Sequence, residues 1–537
     1  MNKICFHLLS LALLALPSLS IQADGQSNNK IKNVILIIGD GMGPAQIGLL
    51  ETYARQATNP VIENRITAFT RMLNEGAALG ISMTYAANVM GTDSASSATQ
   101  LATGKAARPD TIGIDSDGNS SVTALEIAKK LGKSTGLVSD VRLTHATPAS
   151  FAAHQASRTM ENKIAIDLLT TGVDVMLSGG LRHWIPEQAN DKSSAIFKQL
   201  TELTTGSIKI TSKRKDQRNL LMEAQQAGYQ LAFNKQQLDA ISEQSGKILG
   251  IFSDSNLPNG IKAHRTKNHS TIPTLKEMSA KALDVLQKND QGFFLMIEAG
   301  LIDWAAHDND TGTLLHEMLK INETLNYVLD WAAKREDTMV IVTADHETGG
   351  FGFSYSANNI LASISLPGAA FKETGYQSSF NYGATQILDK LYNQKLSYDD
   401  MLSKVFDSLD SEQKTPLALM KIINQNTEFK ITEQQAARVL ATEQNDYYVA
   451  DHKDLSLKQV PKMDVNDAFF VYQSDNRRNL LAIEVAEQQS VVWSNGTHTA
   501  SPVLVFVKGN KKVSDDFVRF MWQPELGQKI IELIKAD

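Results

Sequence analysis

Short apolar runs recur along the chain, and each ends in glycine or in polar and acidic residues. VILII at 34–38 leads into Gly39-Asp40-Gly41, GLV at 136–138 into Ser139-Asp140, and VDVML at 173–177 into Ser178-Gly179-Gly180. ILGIF at 248–252 leads into Ser253-Asp254, FFLMI at 293–297 into Glu298, and MVIV at 339–342 into Thr343-Ala344-Asp345-His346. VLVFV at 503–507 leads into Lys508-Gly509. Runs of this kind predict strands buried on both faces of a largely parallel sheet. Helical patterns between them, as at 121–131 and 274–286, predict an α/β fold, a three-layer α/β/α sandwich. Ligands of open α/β sheets bind beyond the carboxyl ends of the strands. Asp40, Glu298 and the pair Asp345-His346 all fall there.

The first 23 residues have a different pattern. Lys3 precedes an apolar core, LLSLALLAL at 8–16, which is too short to span a bilayer, since that takes ~20 residues. Pro17 and small or polar residues follow. This predicts a signal peptide over 1–23, cut after Ser20 or after Ala23, and an exported protein, periplasmic or secreted. A buried N-terminal helix is the alternative. No second long apolar stretch follows, so no membrane span is expected. The only cysteine, Cys5, lies in the leader. Thiol chemistry, disulfides and cysteine-based metal sites are thereby excluded from the rest of the chain.

Residues 24–537 are expected to form one sheet domain. The stretch from about 355 to 485 lacks core-strand patterns and looks helical, with capping-box signals at Ser397/Asp400 and Thr432/Gln435. It reads as a large insertion or cap, or as an independent second domain. The sheet pattern resumes at 501–507. The formal net charge is −7, which does not favour binding to nucleic acid or anionic membranes.

Four patterns could carry chemistry. In Glu298-Ala-Gly-Leu-Ile-Asp303-Trp304-Ala-Ala-His307, Asp303 and His307 are four apart, so on a helix they share a face and could hold one ion. The same spacing also serves a solvated face or a helix ion pair. Asp345 and His346 can converge only at a strand end or turn, and Gly349-Gly350 supply that freedom; a helix cap is the plainer reading. Gly39-Asp40-Gly41-Met42-Gly43 exposes one carboxylate on a tight turn, or is simply a turn. In Thr92-Asp93-Ser94-Ala95-Ser96-Ser97-Ala98-Thr99, small residues place Ser94 at a helix N-terminus, where anions are favoured. A capped Ser/Ala helix looks the same. No Gly-x-Ser-x-Gly elbow surrounds Ser94, so a metal would have to replace a histidine base.

Taken together and in order, Gly-Asp-Gly-Met-Gly, Asp-Ser-Ala-Ser-Ser-Ala-Thr, Glu-x4-Asp-x3-His, Thr-Ala-Asp-His and Gly-Thr-His498-Thr resemble the alkaline phosphatases. The likeness runs from about residue 33 to 509 apart from the insertion, and is greatest to the cold-active marine bacterial members. The resemblance implies phosphate monoester hydrolysis through a phosphoserine on Ser94, with two Zn2+ and one Mg2+. It implies Asp303, His307 and His498 on the first zinc and Asp40, Asp345 and His346 on the second. It implies Asp40, Thr147 and Glu298 on magnesium, Arg158 clamping two phosphate oxygens, and a homodimer.

Three positions, His145, Trp304 and Gly91, depart from the family pattern, the first of them from the best-known enteric member. His145 stands where that enzyme has aspartate, and is expected to order a magnesium-bound water near the substrate. Trp304 stands where a lysine can lie near the phosphate. Other enzymes on the fold are the competitors: a phosphodiesterase, a sulfatase or a phosphoglycerate mutase. No sulfatase Cys/Ser-x-Pro-x-Arg setting surrounds Ser94, and diesterases usually offer threonine. A non-catalytic phosphate- or metal-binding protein is the reading from another class.

Overall fold

The computed structural model describes residues 30–266 and 270–536; the leader-like segment 1–23 lies outside them. Ten strands form one sheet. In chain order they are β1 Asn33–Gly39, β2 Ala78–Met83, β3 Ser134–Arg142, β4 Val175–Gly179, β5 Gln230–Ala232, β6 Ile248–Ile251, β7 Phe293–Ala299, β8 Thr338–Thr343, β9 Val503–Lys508 and β10 Phe520–Trp522. Across the sheet the order is β10-β2-β9-β8-β1-β7-β3-β4-β6-β5. Only β9 runs against its neighbours, antiparallel to both β8 and β2. The remaining pairs are parallel.

The apolar runs follow from where the strands lie. Ile35 and Ile37 of β1 enter the core on one face of the sheet, and Val34, Leu36 and Ile38 enter the core on the other. Side chains alternate along a strand, so a central strand between two helical layers must be apolar at every position. Towards the β10 side of the sheet the demand relaxes. In β2, buried residues alternate with partly or fully exposed ones, and β10 has three residues. Neither is among the runs that the sequence pattern marks out.

Four helices carry the motif residues or come directly after them: α1 Pro44–Gln56, α2 Ser94–Thr103, α3 Leu301–His307 and α4 Thr311–Ala332. The pattern at 121–131 yields a shorter helix, Ala124–Lys130, opened by a Thr123/Glu126 capping box. The pattern at 274–286 yields Leu275–Leu286, with a Thr274/Glu277 capping box.

Residues 344–502 add no strand to the main sheet. They carry the helices Gln386–Tyr392, Pro416–Asn426, Glu433–Leu440 and Asn476–Gln489 and a two-stranded ribbon of Thr442–Gln444 with Gln459–Pro461. Thr432 and Gln435 form the expected capping box. Ser397 accepts from the Asp400 amide, but the turn beyond it is a π-helix, Asp400–Val405.

This region is tied to α3 and α4 and the turn between them. The buried Asp310 carboxylate caps α4 through the Thr313 amide at 3.0 Å and also accepts from the Tyr398 amide at 2.7 Å and from Gln394 at 2.8 Å. Arg478 bridges Asp308 at 2.9 Å and Asp399 at 2.7 Å. The Asn479 amide group donates to the His307 carbonyl at 2.7 Å. No helix among the described residues is long and apolar enough to cross a membrane.

Candidate active site and metal centre

The carboxyl end of the sheet gathers the residues that the motifs singled out. Asp40 follows β1 on a turn where Gly41 has φ 71°, and a Cβ at Gly41 would stand 2.8 Å from Asp303 Cα. Glycine is required there by both the left-handed backbone and the close approach. Glu298 is the penultimate residue of β7, and α3 begins just beyond that strand. Asp140, two residues before the end of β3, accepts from the Gly300 amide at 2.7 Å and pairs with Lys320 at 2.9 Å, which fixes the start of α3. Asp303 and His307 share one face of that helix, with His307 Nε2 3.2 Å from Asp303 Oδ2.

His346 and His498 meet through a ribbon that the sequence pattern did not show. Glu347–Thr348 pairs antiparallel with His498–Thr499, opposing Thr348 to His498. The His346 and His498 rings stack with centroids 3.5 Å apart. His307 Nδ1 contacts the Gly496 carbonyl at 2.7 Å, and His498 Nδ1 contacts the Thr92 carbonyl at 2.9 Å. A carbonyl accepts only, so each Nδ1 carries the proton and each Nε2 presents a lone pair. Those two Nε2 atoms lie 3.1 Å apart.

Three groups of potential ligand atoms lie within 4.8 Å of one another: Asp303, His346 and His498; Asp40, Asp345 and His346; and Asp40, His145 and Glu298. Both Asp40 carboxylate oxygens, Asp345 Oδ2, Glu298 Oε1, Thr147 Oγ1 and His145 Nδ1 are buried without a hydrogen-bond partner. Such orphans are rare in folded proteins because each carries a desolvation penalty. Several orphaned acceptors facing one another fit cations. Mixed imidazole and carboxylate donors suit zinc, and the oxygen-rich third group suits a harder ion. His307 stands beside the first group and Thr147 offers its hydroxyl near the third. His145 enters the third group directly, and its Nε2 lies 3.2 Å from Arg158 Nη2.

The electrostatics agree. Burial, then repulsion from Asp345, Asp303 and Glu298, pushes the Asp40 carboxyl well above its usual range. Glu298 is pushed up to about 8 by burial and by Asp140. Asp345 is pushed up to about 7 by burial and by Asp303. Burial also raises Asp303, but the His307, His498 and His346 imidazoles outweigh it and hold the group well below the usual value. Burial holds His498 down at about 4 and keeps His346 and His145 well below 6.5.

Ser94 is the first residue of α2 and is buried, its Oγ 3.2 Å from His346 Nε2. Asp93 caps the helix by accepting from the Ser96 amide at 3.0 Å, and its other oxygen takes Arg158 Nη1 at 2.9 Å. Arg158 is thus gripped by Asp93 and His145. Ser94, Arg158, His145, Trp304, Asp303, His307 and His498 all line one cleft of about 920 Å³. Trp304 is 40% exposed, its ring centroid 6.4 Å from that of His145.

Three positioning residues escape the sequence motifs as site residues. Asp93 sits inside the Ser94 motif, and its adjacency to Ser94 is the available signal. Thr348 Oγ1 donates to Asp303 Oδ1 at 2.6 Å and lies 3.3 Å from His346 Nδ1, linking the two histidine-bearing groups. Tyr472 packs edge-on against His307 at 4.9 Å; it comes from the region between β8 and β9, where no motif points to it.

The alkaline phosphatase family model matches residues 31–530. Over 370 residues the chain is 37% identical to alkaline phosphatase 3 of Bacillus subtilis strain 168, covering 68% of this chain and 71% of that one. The chain belongs to the alkaline phosphatase family. Over 348 residues it is 31% identical to the alkaline phosphatase of Escherichia coli K12, covering 60% and 70% of the two chains. The crystal structure of a cold-active alkaline phosphatase from a psychrophilic Shewanella superposes with a TM-score of 0.64 at 26% identity, covering 94% of this chain and 99% of that one. That of Thermus thermophilus superposes at 0.72 and 23% identity, covering 98% and 100%, and shares the fold. The family and its site fit divalent metals, and the chain is a phosphomonoesterase of this family.

Metal-stripped protein has a predictable pH response. Groups with raised folded values, Asp40, Glu298 and Asp345, hold protons more tightly folded than unfolded, so their stabilisation is complete at low pH and is lost as pH rises. The depressed histidines act in the opposite sense, but only below about 6.5, their unfolded value. Thermal unfolding of EDTA-treated protein should therefore shift to lower temperature as pH rises from about 6.5 to 8, and added Zn2+ and Mg2+ should remove that slope. An apoprotein that grows more stable across this window would contradict the cluster as described.

Proposed function

We propose that this chain hydrolyses phosphate monoesters with Ser94 as nucleophile, two zinc ions and one magnesium ion. The observation that carries the reading is Ser94 Oγ, 3.2 Å from His346 Nε2 at the head of a buried helix, set among carboxylate oxygens that lack partners. Asp303, His307 and His498 would hold one zinc, and Asp40, Asp345 and His346 the other. Asp40, Glu298 and Thr147 would hold magnesium, with His145 beside them. When bound, these ions supply Lewis-acid charge that favours the Ser94 alkoxide and the departing oxygen.

Ser94 Oγ forms a bond to phosphorus as the ester P–O bond breaks and the alcohol leaves. Water then attacks the phosphoserine from the opposite side, releasing inorganic phosphate and restoring the hydroxyl. Two in-line displacements give net retention at phosphorus. Arg158, held from behind by Asp93, presents its fork to two phosphate oxygens, a geometry that guanidinium matches. The α2 N-terminus adds backbone N–H groups toward the same anion. Transfer of this kind rests on positioning and charge. Three divalent cations and Arg158 against four carboxylates and an alkoxide leave the site positive inside a chain of net charge −7.

The same reading includes a homodimer. Residues 353–382 carry few regular elements and expose Tyr355 at 57% and Tyr382 at 62%, along with Leu361 and Ile364, an apolar surface of the kind that a second copy covers. Light scattering at micromolar concentration should give twice the single-chain mass; a single-chain mass would remove this part of the proposal.

The reaction is tested with p-nitrophenyl phosphate at neutral to strongly alkaline pH. Activity should rise toward alkaline pH, vanish with EDTA and return with Zn2+ and Mg2+. Ser94→Ala should lose at least about a thousandfold in kcat with no change in its unfolding temperature. Near-wild-type turnover by Ser94→Ala, or preferential cleavage of bis-p-nitrophenyl phosphate, would overturn the assignment.

A further inference from the structure

The cleft above Ser94 has a wall that belongs to no motif. It comes from residues 452–454 and from Tyr472, Asp475 and Arg478. The loop that carries 452–454 is built. Asn445, 4% exposed, pairs amide to amide with Gln473, also 4% exposed, at 2.8 and 3.0 Å. Asn445 Nδ2 also donates to the carbonyls of Leu457 at 2.7 Å and Leu455 at 3.3 Å. At the tip, Asp451 adopts φ 62°, and His452 Nδ1 accepts from the Asp454 and Leu455 amides at 3.1 Å each. This turn fixes where the backbone of Lys453 sits relative to the cleft.

The cations of the cleft are unequal. Arg158 is gripped by Asp93 at 2.9 Å, Arg142 by Glu161 at 2.9 Å, and Arg478 by Asp308 at 2.9 Å. Lys453 is different. Its ammonium lies 4.0 Å from Asp454, its neighbour in the chain, at the outer limit of an ion pair, and its side chain is 75% exposed. It lines the same cleft as Asp110 and the buried His145. Of the acidic groups on this wall, Asp475 faces Arg478 at 3.3 Å. Asp110 also lines this cleft.

We propose that Lys453 is a specificity-determining residue that binds a second anionic group on the leaving alcohol, so that the cleft favours phosphate monoesters carrying a further carboxylate or phosphate. This rests on the monoesterase reading above. The transferred phosphoryl group sits at Ser94 and Arg158, and the leaving group points outward along the cleft to the wall where Lys453 stands. Trp304, 40% exposed on the same cleft, offers a flat apolar face to the uncharged part of that group. An exposed lysine suits this use, since it keeps its flexible reach and exchanges a long contact with Asp454 for a ligand anion.

The test uses the metal-loaded full chain with phenyl phosphate and 4-carboxyphenyl phosphate, esters that differ by one distal carboxylate. In Lys453→Ala the ratio of KM for the carboxylate ester to KM for the plain ester should rise about threefold to fivefold, the scale of an exposed ion pair. Lys453→Arg should keep the wild-type ratio, and Lys453→Glu should raise it about tenfold. Raising NaCl from about 0.05 to 0.5 M should raise the wild-type ratio but leave the ratio in Lys453→Ala flat. A ratio that stays the same in Lys453→Ala and Lys453→Glu, with phenyl phosphate still hydrolysed, would overturn this inference alone. Failure of the wild-type enzyme to hydrolyse phenyl phosphate would overturn it together with the monoesterase reading.

Discussion

Asp40, Glu298, Asp303 and Asp345 are buried together at the carboxyl end of the sheet, and several of their oxygens have no hydrogen-bond partner among the described residues. Like charges in a buried site cannot all ionise unaided, and the raised values of Asp40, Glu298 and Asp345 register that cost. Cations relieve it. The fold is arranged around this constraint. β1, β7 and β8 are adjacent and parallel, so their carboxyl ends deliver Asp40, Glu298 and Asp345 to the same place. Gly41 lets the chain turn after the first strand with its backbone close against Asp303, and Asp140 holds α3 at its start.

Around the carboxylates, each functional side chain is fixed by a group that does no chemistry itself. The Thr92 and Gly496 carbonyls set the His498 and His307 rings, and Thr348 links Asp303 to His346. Asp93 aims Arg158 while capping the helix that presents Ser94. Ser97, one turn further along that helix, donates to the Asp345 carbonyl at 2.6 Å. The nucleophile and the second candidate metal group are therefore coupled through this hydroxyl as well as through the Ser94–His346 contact. A shift of α2 would move both.

The central strands are legible in the sequence because two cores demand an apolar residue at every position. β2, one strand in from the edge, and the three-residue edge strand β10 are not, because exposed positions interrupt β2 and β10 is too short to give a run. The site residues are legible because Asp40, Glu298 and Asp345-His346 end strands, and because α3 spaces Asp303 and His307 by one turn. The contact between His346 and His498 is invisible to spacing, since it depends on a two-residue ribbon joining segments far apart in the chain. His145 is expected beside the substrate, and the structure sets it among the donors of the third group as well. Tyr472 and the loop at 445–457 reach the cleft only through tertiary folding, with the amide pair of Asn445 and Gln473 as their anchor.

The central claim is that this cluster exists to hold cations, and metal analysis of the purified, dialysed protein tests it most directly. Inductively coupled plasma mass spectrometry should find close to two zinc and one magnesium per chain, and Asp40→Asn should lose more than one of the three, because Asp40 belongs to two of the candidate groups. A fully active wild-type enzyme that retains less than one divalent ion per chain would contradict the account.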